Sequence, residues 1–166
     1  MAIDPQVYKQ TMGQWCAGVT VVTTLNQTQP YGMTANSFIS VSINPLLVLV
    51  SIDLKAQIHG MIRTSGFFAV NILKAEQLEL GKRFAGLYKD ITDRFEGVTY
   101  DTAVTGAPVL PGVIGWVDCN VHTTYEAGDH TLVIGEVVAA EGPGGADPLL
   151  YYNRTWGIFS ALPENG

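Results

Sequence analysis

Hydrophobic positions along this chain recur mostly at a period of two, and helical spacing is confined to short stretches. Near the N-terminus Tyr8, Met12, Trp15 and Cys16 fall on one helical face. They follow Asp4-Pro5, a pair that suits a helix start, because Asp accepts from the first amides and Pro loses no intrahelical bond there. Gly18 is expected to end that helix. Residues 19–25 form a β-branched run and predict a strand. A polar turn over 26–30 leads into a second strand, 31–38, in which Gly32 permits close backbone approach. Residues 40–43 alternate polar and apolar, Asn44-Pro45 breaks the pattern, and 46–52 predict a buried strand.

A short helix is predicted over 57–63, a strand over 67–72 and a helix over 75–84. Residues 86–111 are rich in turn formers and too long for an ordinary connection, so they are expected to hold short elements or a functional loop. Residues 113–127 predict a long strand. Val113, Val117, Cys119 and Val121 share one face, and Asp118, Asn120 and His122 share the other, with Trp116 among them. Gly128-Asp129-His130 predicts a turn into a returning strand, 131–140, that is apolar on both faces. After a Gly/Pro loop, strands over 149–152 and 156–159 finish the chain. About seven strands with two or three helices and no βαβ rhythm favour an antiparallel barrel over a doubly wound sheet. With no internal repeat and no linker, residues 1–166 are expected to form a single domain.

Composition adds an assembly to this picture. The 166 residues are 47% hydrophobic and 14% charged, where an average soluble domain carries roughly 25% charged residues. That excludes intrinsic disorder, which needs low hydrophobicity and high charge. The net charge of −6 argues against a nucleic-acid partner, which would require a basic face. So few charges on so apolar a chain imply a sizeable subunit interface, most simply a homodimer. The alternative is a monomer whose surface is covered by Thr, Asn, Gln and Gly. The most apolar run, 46–52, is far shorter than the roughly 18 residues of a membrane span. Met1-Ala2-Ile3-Asp4-Pro5 has neither the basic nor the apolar region of a signal peptide. Cys16 and Cys119 form no metal spacing and no disulfide framework, and free thiols without an export signal point to the cytoplasm.

Several common chemistries are missing. No GxGxxG joins a strand to a helix, and neither a GxxxxGK[ST] loop nor a GxSxG elbow occurs. His59, His122 and His130 have no zinc-ligand spacing, so no metal is expected. Three features remain. Gly32-Met33-Thr34-Ala35-Asn36-Ser37-Phe38 exposes backbone groups between small polar side chains, against which a planar polar heterocycle could lie; the alternative is a solvated edge strand. His130 at a hairpin tip could donate to a ligand phosphate or carboxamide, or simply be exposed in a turn. Arg154, among Tyr151, Tyr152 and Trp156, could stack on a ring or pair with a phosphate, or be a surface charge beside core aromatics.

Taken in order, these stretches resemble the short flavin reductases, the small reductase components of two-component flavin-dependent monooxygenases. The resemblance runs from about Tyr8 to Phe159. It is carried by Gly18-Val19-Thr20-Val21-Val22-Thr23-Thr24, the 32–38 stretch, Ser40-Val41-Ser42 with Pro45-Leu46-Leu47-Val48, and Phe68-Ala69-Val70-Asn71-Ile72-Leu73. Arg94-Phe95-Glu96-Gly97, Gly128-Asp129-His130-Thr131, Gly135-Glu136-Val137 and Leu149-Leu150-Tyr151-Tyr152 complete it.

The resemblance implies a mainly β fold, an antiparallel split β-barrel with a few short flanking helices, working as a homodimer with flavin near the subunit interface. It implies an NAD(P)H:flavin oxidoreductase that uses FMN or FAD, takes hydride from NADH or NADPH, and supplies reduced flavin to a transient oxygenase partner. Met33, Thr34, Ala35, Asn36 and Ser37 would lie along the flavin ring and ribityl chain. Ser51, Ile52 and Asp53, with the turn after them, would approach the ribityl and phosphate, and Phe84 and Ala85 would add to the site. His130, Tyr152 and Arg154 would face the nicotinamide nucleotide, His130 as the candidate for a catalytic contribution. Where relatives often carry small hydroxyl residues for the flavin phosphate, this chain has Ala56 and Ile58, so Lys55 or Arg63 is expected to supply charge instead. Three other readings stay open: a non-enzymatic flavin-binding electron relay, a reductase of ferric iron or a corrinoid, and an oxidase of a phosphorylated pyridoxine-like amine. The last needs a basic phosphate pocket that nine Lys and Arg can scarcely supply.

Overall fold

Twelve strands and three helices are present in the computed structural model, which describes residues 3–162. Met1 and Ala2, read above for an export signal, lie outside the described residues, as do 163–166. In chain order the elements are α1 (Pro5–Gly13), β1 (Ala17–Gly18), β2 (Thr20–Asn26), β3 (Gln29–Ala35), β4 (Ile39–Ile43), β5 (Leu46–Asp53), α2 (Gln57–Ser65), β6 (Phe67–Ile72), α3 (Leu78–Phe84), β7 (Asp101–Thr102), β8 (Pro108–Val109), β9 (Gly115–Ala127), β10 (His130–Glu141), β11 (Leu149–Tyr152) and β12 (Thr155–Ile158). Seven of the strands form one antiparallel sheet in the order β3-β2-β6-β9-β10-β5-β4. Its two edge strands, β3 and β4, are consecutive in sequence, with only residues 36–38 between them. So short a link brings the two edges together, rolls the sheet into a barrel and leaves the split between β3 and β4.

The barrel interior is filled by Val22, Val48, Val50, Phe68, Val70 and Val133, and α2 plugs it with Ile58 and Ile62. A second core lies outside the barrel wall, where α3 and the 84–113 segment cover Val19, Val21, Leu73, Phe84, Phe95 and Leu110. β2 runs between the two cores, and Thr20 to Thr24 are all buried. Its threonine hydroxyls stay satisfied: Thr20 donates to the Ala35 carbonyl at 2.8 Å and Thr24 to the Phe67 carbonyl at 2.8 Å. The small sheet β1-β11-β12 closes the outer layer. Among the described residues no helix is long and apolar enough to cross a membrane.

Several expected boundaries move, each for a long-range reason. α1 stops at Gly13, and the Asn153 amide from the β11–β12 hairpin donates to the Gly13 carbonyl at 2.8 Å. Trp15 and Cys16 therefore lie beyond the helix, and α1 has no buried residue. Strand β3 ends at Ala35 rather than Phe38, because 36–38 must cross from one sheet edge to the other. The helix expected over 75–84 begins as a 3₁₀ turn, Ala75–Gln77. Asp118, on the face of β9 that it shares with Asn120 and His122, is fully buried. Segment 104–105 covers it, and its carboxylate accepts from the Val104 and Thr105 amides at 2.8 Å each and from the Thr105 hydroxyl at 2.5 Å. The tip of the β9–β10 hairpin is Gly128-Asp129 alone. His130 is the first residue of β10, paired with Ala127 on one side and Asp53 on the other.

Candidate active site

The split of the barrel exposes the end of β3 and the link after it. Residues 33–38 run through three adjoining concavities of about 610, 230 and 870 Å³. The first joins Met33 and Thr34 to the start of α2 and to loop 85–94. The second sets Thr34, Ala35 and Asn36 beside Ala85, Tyr151 and Trp156. The third lies between residues 36–39, α1 and the β11–β12 hairpin. Thr34 and Ala85 line the first and second, and Asn36 and Tyr151 line the second and third, so the three form one continuous groove.

Its electrostatics run against the rest of the molecule. Lys55, Lys89 and Arg94 line the first concavity, and Lys9 and Arg154 line the third. That is five of the chain's nine Lys and Arg, with no lining carboxylate, on a protein of net charge −6. The Arg94 guanidinium is half-buried. Its Nη1 donates to the Phe84 carbonyl at 2.8 Å and the Gly32 carbonyl at 3.3 Å, and its Cζ stands 5.9 Å from the Tyr31 ring centroid. No carboxylate pairs with it among the described residues. A positive end of this kind fits a phosphate.

The small polar side chains of 33–37 divide by role. The Thr34 hydroxyl donates to the Gly81 carbonyl at 2.7 Å, tying β3 to α3. The Ser37 hydroxyl donates to the Ser51 carbonyl at 2.8 Å and accepts from the Ser51 amide at 3.2 Å, stitching the link to β5. Asn36 is exposed, and its amide has no partner among the described residues, so it is the side chain of this stretch left free for a ligand. Met33 packs on the barrel core and lines the first concavity.

Of the residues expected after them, Ile52 and Phe84 have fully buried side chains in the two cores and offer a ligand only their backbone. The Phe84 ring fits against β3 because position 32 is glycine: a Cβ there would stand 2.7 Å from it. Asp53 shapes the turn before α2, its carboxylate accepting from the Lys55 amide at 2.7 Å. That turn delivers Lys55 to the groove, whereas Arg63 lines a separate cleft between α2 and the β9–β10 hairpin. Ile58 is core, so no side chain at that position would reach a phosphate. Arg154 lines the third concavity, but Tyr152 turns away and its hydroxyl donates to Gln14 at 2.7 Å. Its neighbour Tyr151 faces the groove instead, as strand alternation requires. Sequence reasoning thus missed Lys9, Lys89, Arg94, Tyr151 and Trp156 as lining residues. Arg94 carried a signal as part of the Arg94-Phe95-Glu96-Gly97 stretch, and Tyr151 and Trp156 as the aromatics around Arg154; Lys9 and Lys89 carried none.

His130 lines none of the three concavities. It stands on the outer face of the sheet, across from Asp53 and so beside the turn that carries Lys55. Its Nδ1 lies 2.7 Å from Asp129 Oδ1. That hydrogen bond, then the imidazole charge, hold the Asp129 carboxyl below its ordinary range.

Residues 12–159 match the family model described as flavin reductase like domain. The chain is 40% identical to a flavin reductase of Pseudomonas putida over 162 residues, 97% of this chain and 94% of the relative. It is 34% identical to HsaB, the reductase subunit of a flavin-dependent monooxygenase of Rhodococcus jostii, over 91% of this chain and 76% of the relative. Among solved structures, the Streptomyces globisporus NADH:FAD oxidoreductase SgcE6, in complex with NAD and FAD fragments, superposes with a TM-score of 0.87 at 33% identity, covering 100% of this chain and 99% of that one.

Proposed function

This chain belongs to the flavin reductase like family, and from that premise we propose that its groove binds flavin and a nicotinamide nucleotide together, as an NAD(P)H:flavin oxidoreductase supplying reduced flavin to a separate monooxygenase. The carboxylate-free concentration of five cations along 33–38 carries the reading, because both ligands are anionic and planar in part. When bound, the two cofactors supply the redox chemistry, a hydride passing from nicotinamide C4 to flavin N5.

The residues bind, orient and exclude water. Lys55, Lys89 and Arg94 hold the flavin phosphate, with Arg94 fixed in advance by its two backbone carbonyls. The free Asn36 amide and the unpaired edge of β3 hydrogen-bond the polar edge of the ring, where donors stabilise negative charge on the reduced form. Tyr151, Trp156 and Leu87 wall the narrow middle concavity against water. Arg154 and Lys9 receive the phosphates of the nicotinamide nucleotide. His130 lies outside the groove of its own protomer, so we read its imidazole as reaching the nucleotide from a second copy of the chain.

We read residues 1–166 as one reductase domain, supported by a family match that leaves only short ends, and we place it in the cytoplasm, supported by two free cysteines. We also read the protein as a homodimer. Residues 37–52 carry no charged side chain. On one face of the sheet Ile39, Leu49 and Ile134 stand in register, Ser51 and Leu132 follow, and Asp53 and His130 end the series. A second copy covering this apolar face would reach the candidate site.

The test follows NADH oxidation at 340 nm with FMN, with FAD and without flavin. Strong stimulation by one flavin is expected and identifies it. Flavin binding without NADH oxidation overturns the enzyme reading in favour of an electron relay.

A further inference from the structure

Asp129 occupies the exposed tip of the β9–β10 hairpin, yet its backbone is fixed: its carbonyl accepts from the Leu54 amide at 3.0 Å, in the turn that carries Lys55. Its carboxylate reaches its neighbour's ring, 2.7 Å from His130 Nδ1. An ionised carboxylate only accepts hydrogen bonds, so the proton in this contact sits on Nδ1. A neutral imidazole with Nδ1 protonated presents a bare lone pair at Nε2. The Asp129 side chain is 88% exposed, and an exposed pair of this kind adds little stability. Its consequence is the state of the ring. The other charged groups around that ring are Asp53, its register partner on β5, and Lys55.

We propose that Asp129 is a positioning residue that fixes His130 as the Nδ1–H tautomer, so that Nε2 accepts a hydrogen bond from the carboxamide N–H of the nicotinamide ring. Asp129 itself touches neither ligand. The assignment deepens the reductase reading and its nicotinamide half rests on that reading.

The first experiment reads the tautomer directly in the full chain, by long-range ¹H–¹⁵N correlation of the histidine rings at pH 8, with His130→Gln identifying the signal. Nδ1–H is expected in the wild type and Nε2–H in Asp129→Ala. A wild-type ring protonated on Nε2, or a ring unchanged in Asp129→Ala, overturns the proposal. The second compares NADH with reduced 3-acetylpyridine adenine dinucleotide, which lacks the amide N–H. Asp129→Ala is expected to raise KM for NADH about tenfold, the scale of one lost hydrogen bond, with kcat and flavin affinity unchanged and KM for the acetyl analogue unmoved. Equal effects on both donors overturn the role towards the carboxamide. A protein that oxidises neither donor fails the reductase reading, and with it that role, while the tautomer result stands by itself.

Discussion

Gly135 shows how tightly the barrel constrains single positions. A Cβ there would stand 2.5 Å from the Phe68 ring and 2.8 Å from Cys119 Cβ. Gly135→Ala is therefore expected to destabilise the fold by about 1–3 kcal/mol, the usual cost of overpacking, read as a lower denaturation midpoint at unchanged slope. Cys119, in the same contact, is buried, and desolvation, with a smaller contribution from Asp118, pushes its thiol up to about 12. Only the thiolate reacts. A thiol reagent at pH 8 should consequently label exposed Cys16 alone in the native protein and both cysteines after unfolding; fast native labelling of Cys119 would contradict this packing. At this scale the sequence conveyed residue types but not their commitments. The hydroxyls of Thr34 and Ser37 looked as available as the amide of Asn36, yet both are engaged within the fold. Tyr151 and Tyr152 are chemically alike, and which one faces the groove depends on a strand parity that no local pattern encodes.

At the scale of elements, loop 85–94 matters most to the site, and two arginines hold it. Arg94 joins it to β3 through the Gly32 carbonyl and to the end of α3 through the Phe84 carbonyl, while the Arg83 Nε donates to the Arg94 carbonyl at 2.8 Å. Tyr88 adds a bond from the loop to Glu79 on α3, which Lys82 also contacts at 2.7 Å. Arg94→Ala removes both a phosphate partner and the anchor of the loop. It is expected to weaken flavin binding at least tenfold, the scale of a charge-assisted hydrogen bond at roughly 1.5–3 kcal/mol. Lys89→Ala removes charge alone and should cost less. Quenching of flavin fluorescence on titration measures both, and equal flavin affinity in Arg94→Ala and wild type would remove the first concavity from the phosphate-binding role. Most strands and α2 were legible because period-two alternation and β-branched runs are local signals. The ends of α1 and β3 were not, because a hairpin amide and a barrel crossing set them. Residues 86–111 read correctly as irregular, but that they bury Asp118 and wall the groove depends on packing between distant segments.

For the whole molecule, the shortage of charge in the composition acquires a location. Ile39 is 57% exposed and Ile43 85% exposed on an edge strand, where an isolated protomer would invite edge pairing. These residues adjoin a sheet face on which Leu49 and Leu132 lead to Asp53 and His130. A stable dimer covers about 800 Å² on each partner, and β4 and β5 lie within a run of the chain, residues 10–52, that carries no charged side chain, with Asp53 and His130 as the polar end of the face. Ile39→Lys tests whether a second copy covers it. In a lone protomer a lysine at so exposed a position changes stability by less than about 0.5 kcal/mol, whereas an unpaired charge buried in an interface costs several kcal/mol. The variant is expected to halve the mass measured by light scattering from a dimer of 17.9 kDa chains and to keep its thermal unfolding midpoint. A wild-type protein that is monomeric and fully active at micromolar concentration would assign this face to another partner and leave the site complete within one chain.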